Sequence, residues 1–467
     1  MNTLLSKFKW QSMIKKEEVL GDIPSNKAIY KKTFDIAWPS ALESVLIALI
    51  GAVDMMMVGA LGKEAINAVG IATQPKFIVL APIFALNIGV TVLVSRRKGE
   101  QKQSEANAYL RNALLIGIGA SFILSLSAWI FAKPFLLFAG ANSDYLETGI
   151  TYFRVIMVGN FFYSSGLTMT AAQRGAGNTK ISMTTNLMAN LVNLIFNALL
   201  INGLFFFPRL EVLGAAIATA FGNFVSFCMA YYSLRHKGRY LYLDLHESWR
   251  IDKKYVGDIM RISSSSLVEQ MFLRMGFFMY AKSIAILGTI AFATHQLCMN
   301  IMSISFAFGD GLQIANTSLV GQSLGAKRPD MAKIHSKVTQ MIGIIVGVIL
   351  ALIVVVFRKE LLGLFTTDTA VIDMGKIPLL IIAVTILFQV PQVIIVGALR
   401  GAGDVKFVAL LMLISVTVVR PLLAWFLCYP LGFGLIGAWI ALFIDQITRY
   451  TISLWRFKQN KWSKIIV

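Results

Sequence analysis

Arg174-Gly175-Ala176-Gly177, with Lys180 just after it, returns as Arg400-Gly401-Ala402-Gly403, with Lys406 just after it. The offset is 226 residues, and the same shift carries Gly62 onto Gly288, Ala65 onto Ala291, Gly99 onto Gly325 and Glu43 onto Glu269. Further along, a gap of three residues brings Gly214-Ala215 onto Gly437-Ala438. A register held over so many positions marks an internal duplication, and half-chain duplications are common among membrane transporters.

Composition names the solvent of the repeated unit. Of 467 residues, 57% are hydrophobic and 14% charged, and the mean hydropathy is +0.69, whereas soluble domains carry roughly 25% charged residues. Apolar runs such as Phe34 to Val58, Ala113 to Ala132, Val338 to Phe357 and Phe407 to Cys428 each suffice to cross a hydrocarbon core about 30 Å thick. The expected fold is all-α and integral to the membrane, with twelve transmembrane helices in two pseudo-symmetric six-helix bundles. Six is an even number, so both halves enter from the same side and the repeats are parallel. The expected divisions are a basic N-terminus (1–32), an N-lobe (33–235), a linker (236–254), a C-lobe (255–455) and a tail (456–467).

The net charge of +19 follows the bilayer rather than nucleic acid. With the N-terminus inside, the termini and even-numbered loops hold about 30 Lys and Arg and the odd-numbered loops about five, a strong positive-inside bias. Both termini are then cytoplasmic, in the inner (plasma) membrane, and a phospholipid surface accounts for the basic segments. The first apolar run is too long for a signal peptide. Cys228, Cys298 and Cys428 have neither disulfide nor zinc spacing. His236, His246 and His335 are expected in inside loops and His295 in helix 8, so no metal site follows. No phosphate-binding GxxxxGK[ST] loop is present, so no cofactor is expected and the energy must come from an ion gradient.

Several short stretches in order resemble the multidrug and toxic compound extrusion (MATE) family over nearly the whole chain. They are Pro39, Val53-Asp54, Val58-Gly59-Ala60-Leu61-Gly62, the Arg174 and Arg400 loops, Leu319 to Gly325, Arg420-Pro421, and Gly437-Ala438-Trp439-Ile440 through Trp462. The resemblance implies two six-helix lobes, antiport against protons or sodium, and export of organic cations or drugs. It implies no enzyme activity, and a two-lobed chain can act as a monomer. A lipid or oligosaccharide flippase of the same superfamily and an integral-membrane enzyme are the rival classes. Flippases of that kind usually add two helices and a cationic cavity, and no acid-base or nucleophile cluster of an enzyme is visible.

Ionisable residues at membrane depth are functional candidates, since each costs at least about 2.5 kcal/mol there. Asp54 lies in the outer half of helix 1. Glu43, 11 residues earlier, falls near the same helical face; its other reading is an interfacial ion pair near Lys31 and Lys32, and for Asp54 the other reading is an ion pair with Arg154. Asn186, Asn190, Asn193 and Asn197 form one stripe on helix 5, either as ligands for a cation or as glue between helices. In the MATE family the helix 1 aspartate and an Asn-x-x-x-Asp pair on helix 5 form the cation site. Asp54 and Asn193 match, whereas Asn197 stands where aspartate is usual; the missing charge weakens a sodium site and favours protons. By the same resemblance Thr219 supplies a further oxygen and Pro39 a hinge, the bland reading of Pro39 being a helix-start proline. In the C-lobe Glu269 and Asp310 are candidates, with Arg274, Arg420 and Asp445 read as structural ion pairs.

Overall fold

A computed structural model describes residues 9–465 apart from 142, 206, 237, 245, 248 and 367; the first eight residues of the basic N-terminus lie outside it. Twelve long helices follow one another among the described residues: α1 (Asn26–Gly59), α2 (Lys63–Gly99), α3 (Gln103–Ile130), α4 (Ser143–Gly175), α5 (Thr179–Asn202), α6 (Glu211–Ser233), α7 (Lys253–Ala285), α8 (Thr289–Gly325), α9 (Pro329–Val356), α10 (Thr369–Gly401), α11 (Val405–Cys428) and α12 (Gly434–Lys458). Nine of them are long and apolar enough to cross a membrane on composition alone. The other three, α4, α7 and α12, carry much of the buried polarity described below.

The duplication is visible in atomic contacts. Within the first half the Thr91 hydroxyl of α2 donates to the Ala171 carbonyl of α4 at 3.1 Å; within the second, Thr317 of α8 donates to the Gly397 carbonyl of α10 at 2.9 Å. These pairs stand at the 226-residue offset, and so do the crossings beside them. A Cβ on Gly175 would lie 2.7 Å from the Thr91 carbonyl oxygen, and one on Gly401 would overlap that of Thr317. Glycine is used here because two helix backbones touch.

The chain packs as two compact units, Val45–Leu267 and Met1–Ser44 with Val268–Val467. The cuts fall inside α1 and α7, about one repeat apart. In the first unit, the start of α7 crosses α2 at Gly89, where a Cβ would stand 2.7 Å from the Ser263 hydroxyl. In the second, α1 crosses α8 at Gly311, where a Cβ would overlap the backbone of Ser40 and Ala41.

The segments leading into α1 and α7 are held in matching fashion. Ahead of α1, Met13 and Ile14 bury against Ile334 and Val338 of α9. Lys333 pairs with Glu18 at 2.8 Å, the Leu20 amide donates to Asp330 at 3.2 Å, and Arg328 donates to the carbonyls of Gly21 and Asp22. Ahead of α7, Leu241 and Leu243 are buried, and α3 receives the segment. Gln103 donates to the Tyr240 carbonyl at 3.0 Å, the Tyr242 amide to Asn107 at 3.1 Å and the Asp252 amide to Asn112 at 2.9 Å, while Arg111 pairs with Glu247.

Three local expectations need correction. The first helix begins at Asn26 rather than near residue 33, because Lys27, Lys31 and Lys32 extend it past the apolar run without breaking its hydrogen bonds. Pro39 therefore lies well inside α1 and does not open it. His335 sits in α9, not in a loop; it is buried, with Nδ1 2.8 Å from the Thr33 hydroxyl.

Candidate functional site

In the first unit, three helices bring Asp54, Asn193, Asn197 and Thr219 together. Asn197 is 1% exposed and donates from Nδ2 to Asp54 Oδ1 at 2.8 Å. One turn earlier on α5, Asn193 is satisfied with its amide nitrogen toward Asp54, at 2.9 and 3.0 Å from the two carboxylate oxygens, and its oxygen toward the Thr219 hydroxyl of α6 at 3.2 Å; the orientation follows from the bonding network. Thr219 is anchored through the Ala215 carbonyl. The i, i+4 spacing of the asparagines stacks both amides on one face of α5, and Gly222 lets α6 approach the Ala189 carbonyl and Asn193 closely enough to complete the group.

The rest of the asparagine stripe has other work. Asn190 donates back to the Asn186 carbonyl at 2.8 Å and does not reach Asp54. Arg154 forms no ion pair with Asp54 among the described residues; it donates to the Trp129 carbonyl and lies over that ring, 5.0 Å from the centroid. Glu43 is buried and belongs to the other compact unit. Two residues absent from the sequence expectation do belong there. Lys76 of α2 and half-buried Tyr152 of α4 are both within electrostatic reach of Asp54. Tyr152 also packs with Val58, Ala65, Ile201 and Ala215, which join α1, α2, α5 and α6 around the outer side of the carboxylate.

In the second unit Glu269 of α7 is fully buried and ion-paired with Arg400, and Asp310 of α8 feels the same guanidinium. Of the two C-lobe candidates, Glu269 thus pairs with the arginine of the repeated Arg-Gly-Ala-Gly loop. A separate polar core lies on α11 and α12. Asp445 accepts from Arg420 Nε at 3.0 Å and Arg449 Nη2 at 2.8 Å, and also from the Ser415 hydroxyl and Arg420 Nη2. The Arg420 guanidinium lies over the Phe277 and Tyr280 rings. A π-helical stretch, Leu413–Val419, precedes Arg420 and makes room for this cluster where Val416 meets Gly276 of α7. Asp445, Ser415, Arg420 and Arg449 thus bond to one another within the core.

Comparison with known proteins places these features. The MatE family model matches residues 39–199 and 266–426, the two halves of the duplication, and the chain belongs to the MATE family of membrane transporters. It is 26% identical over 438 residues to a probable multidrug resistance protein NorM of Thermotoga maritima, covering 93% of this chain and 94% of the relative. It is 27% identical over 436 residues to an uncharacterised transporter, YisQ, of Bacillus subtilis, covering 92% and 94%. Among solved structures it superposes on a MATE transporter crystallised with MaD3S (TM-score 0.86, 19% identity, 94% and 97% covered) and on the Vibrio cholerae MATE transporter VcmN carrying a D35N substitution (TM-score 0.87, 18% identity, 94% and 98% covered). The fold is the all-α, twelve-span, two-bundle fold of transporters, and the protein is not an enzyme.

Proposed function

We propose that the protein is a secondary active multidrug exporter that moves organic cations outward in exchange for protons, with Asp54 as the coupling carboxylate. One observation carries the reading: a single carboxylate at membrane depth is bonded by two asparagine amides, one of which, Asn193, is oriented in turn by Thr219. Amide donors stabilise the charged form and a partly desolvated setting opposes it, so the group can change protonation without leaving its place. Asn193, Asn197 and Thr219 position it, and Pro39 supplies the hinge in α1 through the backbone bond that proline cannot make. Glu269, paired with Arg400, and Asp310 form a second polar centre through which substrate charge is sensed. The NorM relatives bear the name multidrug resistance protein, in keeping with this substrate class. The chain works as a monomer in the cytoplasmic membrane with both termini inside.

Exchange of one proton for one monovalent cation is electrically neutral, so the pH gradient drives it. One pH unit is worth about 1.36 kcal/mol, which sustains a tenfold gradient of drug. The test is ethidium efflux from energised cells or vesicles, wild type against Asp54→Asn, with the proton and sodium gradients collapsed separately. Efflux that stops with the pH gradient and is lost in the variant is expected. Undiminished efflux in Asp54→Asn moves the coupling site to the second unit, and absence of cationic dye transport by the wild type favours the flippase class.

A further inference from the structure

Three ionised side chains meet in the core of the second unit, and their charges do not cancel. Both guanidinium groups bond to the same carboxylate oxygen: Asp445 Oδ2 accepts from Arg420 Nε at 3.0 Å and from Arg449 Nη2 at 2.8 Å. Asp445, Arg420 and Arg449 are 0%, 1% and 5% exposed, so bulk water screens none of them. Neither arginine pairs with a second carboxylate among the described residues, and the group keeps one positive charge in excess. Buried charges are ordinarily paired, and removing a partner from one is strongly destabilising.

Hydrogen-bond donors are in excess as well. Arg420 Nη1 and Arg449 Nε are buried N–H groups without an acceptor among the described residues. Gln446 stands beside Asp445 in the chain and three residues before Arg449; it is 0% exposed, and its amide group has no partner among the described residues. Positions three apart are neighbours on a helix surface, so the Gln446 amide and the Arg449 guanidinium leave α12 side by side. The walls around them are apolar. Phe443 and Tyr450, either side of Gln446 along α12, pack on Phe388 of α10 with ring centroids 5.9 and 6.0 Å away. Arg449 Nη1 rests 3.5 Å from Met412 Sδ, on the turn before the π-helical stretch of α11, a feature most often found at functional sites. Excess positive charge, orphaned N–H donors and closed apolar walls suit a small spherical anion and exclude a bulky organic acid.

We infer that this core binds one halide ion, chloride under ordinary conditions, held by Arg449 and Gln446 beside Asp445. With the ion in place two anions face the two guanidinium groups, and the orphaned donors gain an acceptor. The packing of α12 on α11 thereby becomes halide-dependent, independently of how Asp54 couples transport.

The experiment uses the full-length protein in detergent, with potassium chloride exchanged for potassium gluconate at constant ionic strength, and reads thermal unfolding together with equilibrium binding of radioactive chloride. Wild type is expected to bind one chloride per chain, and each tenfold rise in chloride above its dissociation constant is expected to raise the unfolding midpoint by roughly 3–5 °C. Bromide should replace chloride. Arg449→Met leaves Asp445 and Arg420 as a neutral pair and should lose both the binding and the chloride dependence, whereas Arg449→Lys, which keeps the charge, should retain them. Gln446→Leu changes no charge and should weaken chloride binding by about tenfold or more. Equal melting of the wild type in chloride and gluconate, or a chloride dependence that survives Arg449→Met, overturns the site. Should Arg449→Met fail to fold, Gln446→Leu decides the matter, and wild-type chloride affinity in that variant is equally fatal to the assignment.

Discussion

Replacing Asp445 by Asn should be far more damaging than replacing either of its arginines. Asp445, Arg420 and Arg449 are all buried, and the carboxylate accepts from both guanidinium groups and from Ser415. The cluster holds two cations and one anion. Asp445→Asn leaves two uncompensated guanidinium groups in the core, and breaking a buried pair in this way costs about 3–5 kcal/mol. Arg420→Met keeps most of the stem's packing against Phe277 and Tyr280 and leaves a neutral Asp445–Arg449 pair, so its cost is about 1–2 kcal/mol from lost charge-assisted hydrogen bonds. For a unit of this size each kcal/mol shifts the unfolding midpoint by roughly 2–4 °C. Thermal unfolding of detergent-purified protein, followed by cysteine-reactive dye, should therefore fall by roughly 6–20 °C in Asp445→Asn and by roughly 2–8 °C in Arg420→Met, the former at least twice the latter in the same assay. If Arg420→Met is as destabilising as Asp445→Asn, the charge count does not govern this core and the reasoning is refuted.

The glycine crossings make a paired prediction: Gly175→Ala and Gly401→Ala, whose methyl groups would meet the Thr91 and Thr317 carbonyls, should each cost about 1–3 kcal/mol, while Gly51→Ala, with nothing nearby, serves as the neutral control in the same melting assay. Asn197→Ala removes a hydrogen bond to the ionised form of Asp54, a charge-assisted bond worth about 1.5–3 kcal/mol, so the pH midpoint of efflux should move upward by about one to two units; an unmoved midpoint would separate Asn197 from coupling. The N-terminal segment is tested by hydrogen exchange of residues 10–24, which should quicken in Glu18→Lys and in Lys333→Glu and recover when the two are combined. The hydrogen bond from Lys333 holds the Glu18 carboxyl below its ordinary range. Its contribution is thus present at neutral pH and is lost only as pH falls through that lowered value, so protection should persist below pH about 4.3.

The sequence disclosed nine of the spans because their apolar runs are long, the other three through the internal repeat, and the duplication because close helix crossings demand glycine at fixed positions. Asp54, Asn193 and Asn197 stood out because an ionisable group in a span and a four-residue amide spacing are local patterns, whereas Thr219 came only from the family resemblance. Lys76 escaped notice because a single lysine does not spoil a 37-residue apolar helix, and its relation to Asp54 depends on how α1 and α2 align. The ion pair of Arg400 with Glu269 was hidden for the same reason, joining α10 and α7, which are far apart in the chain. The early start of α1 and the burial of His335 were equally illegible, because both depend on where residues 10–33 come to rest.

The exchange of leading segments means that the repeat and the folding unit are not the same thing. Residues 1–44 complete a core built mainly by the second copy, and the linker with the start of α7 completes one built by the first. A polypeptide ending in the linker would therefore keep α1 but lose the α8 and α9 surfaces on which its beginning is seated, and its complement would lack the α3 seat for its own leader. Separately synthesised halves should be recovered as a stable pair when produced together, and neither should survive alone; an ancestral single copy would have had to find a twin before it could finish folding.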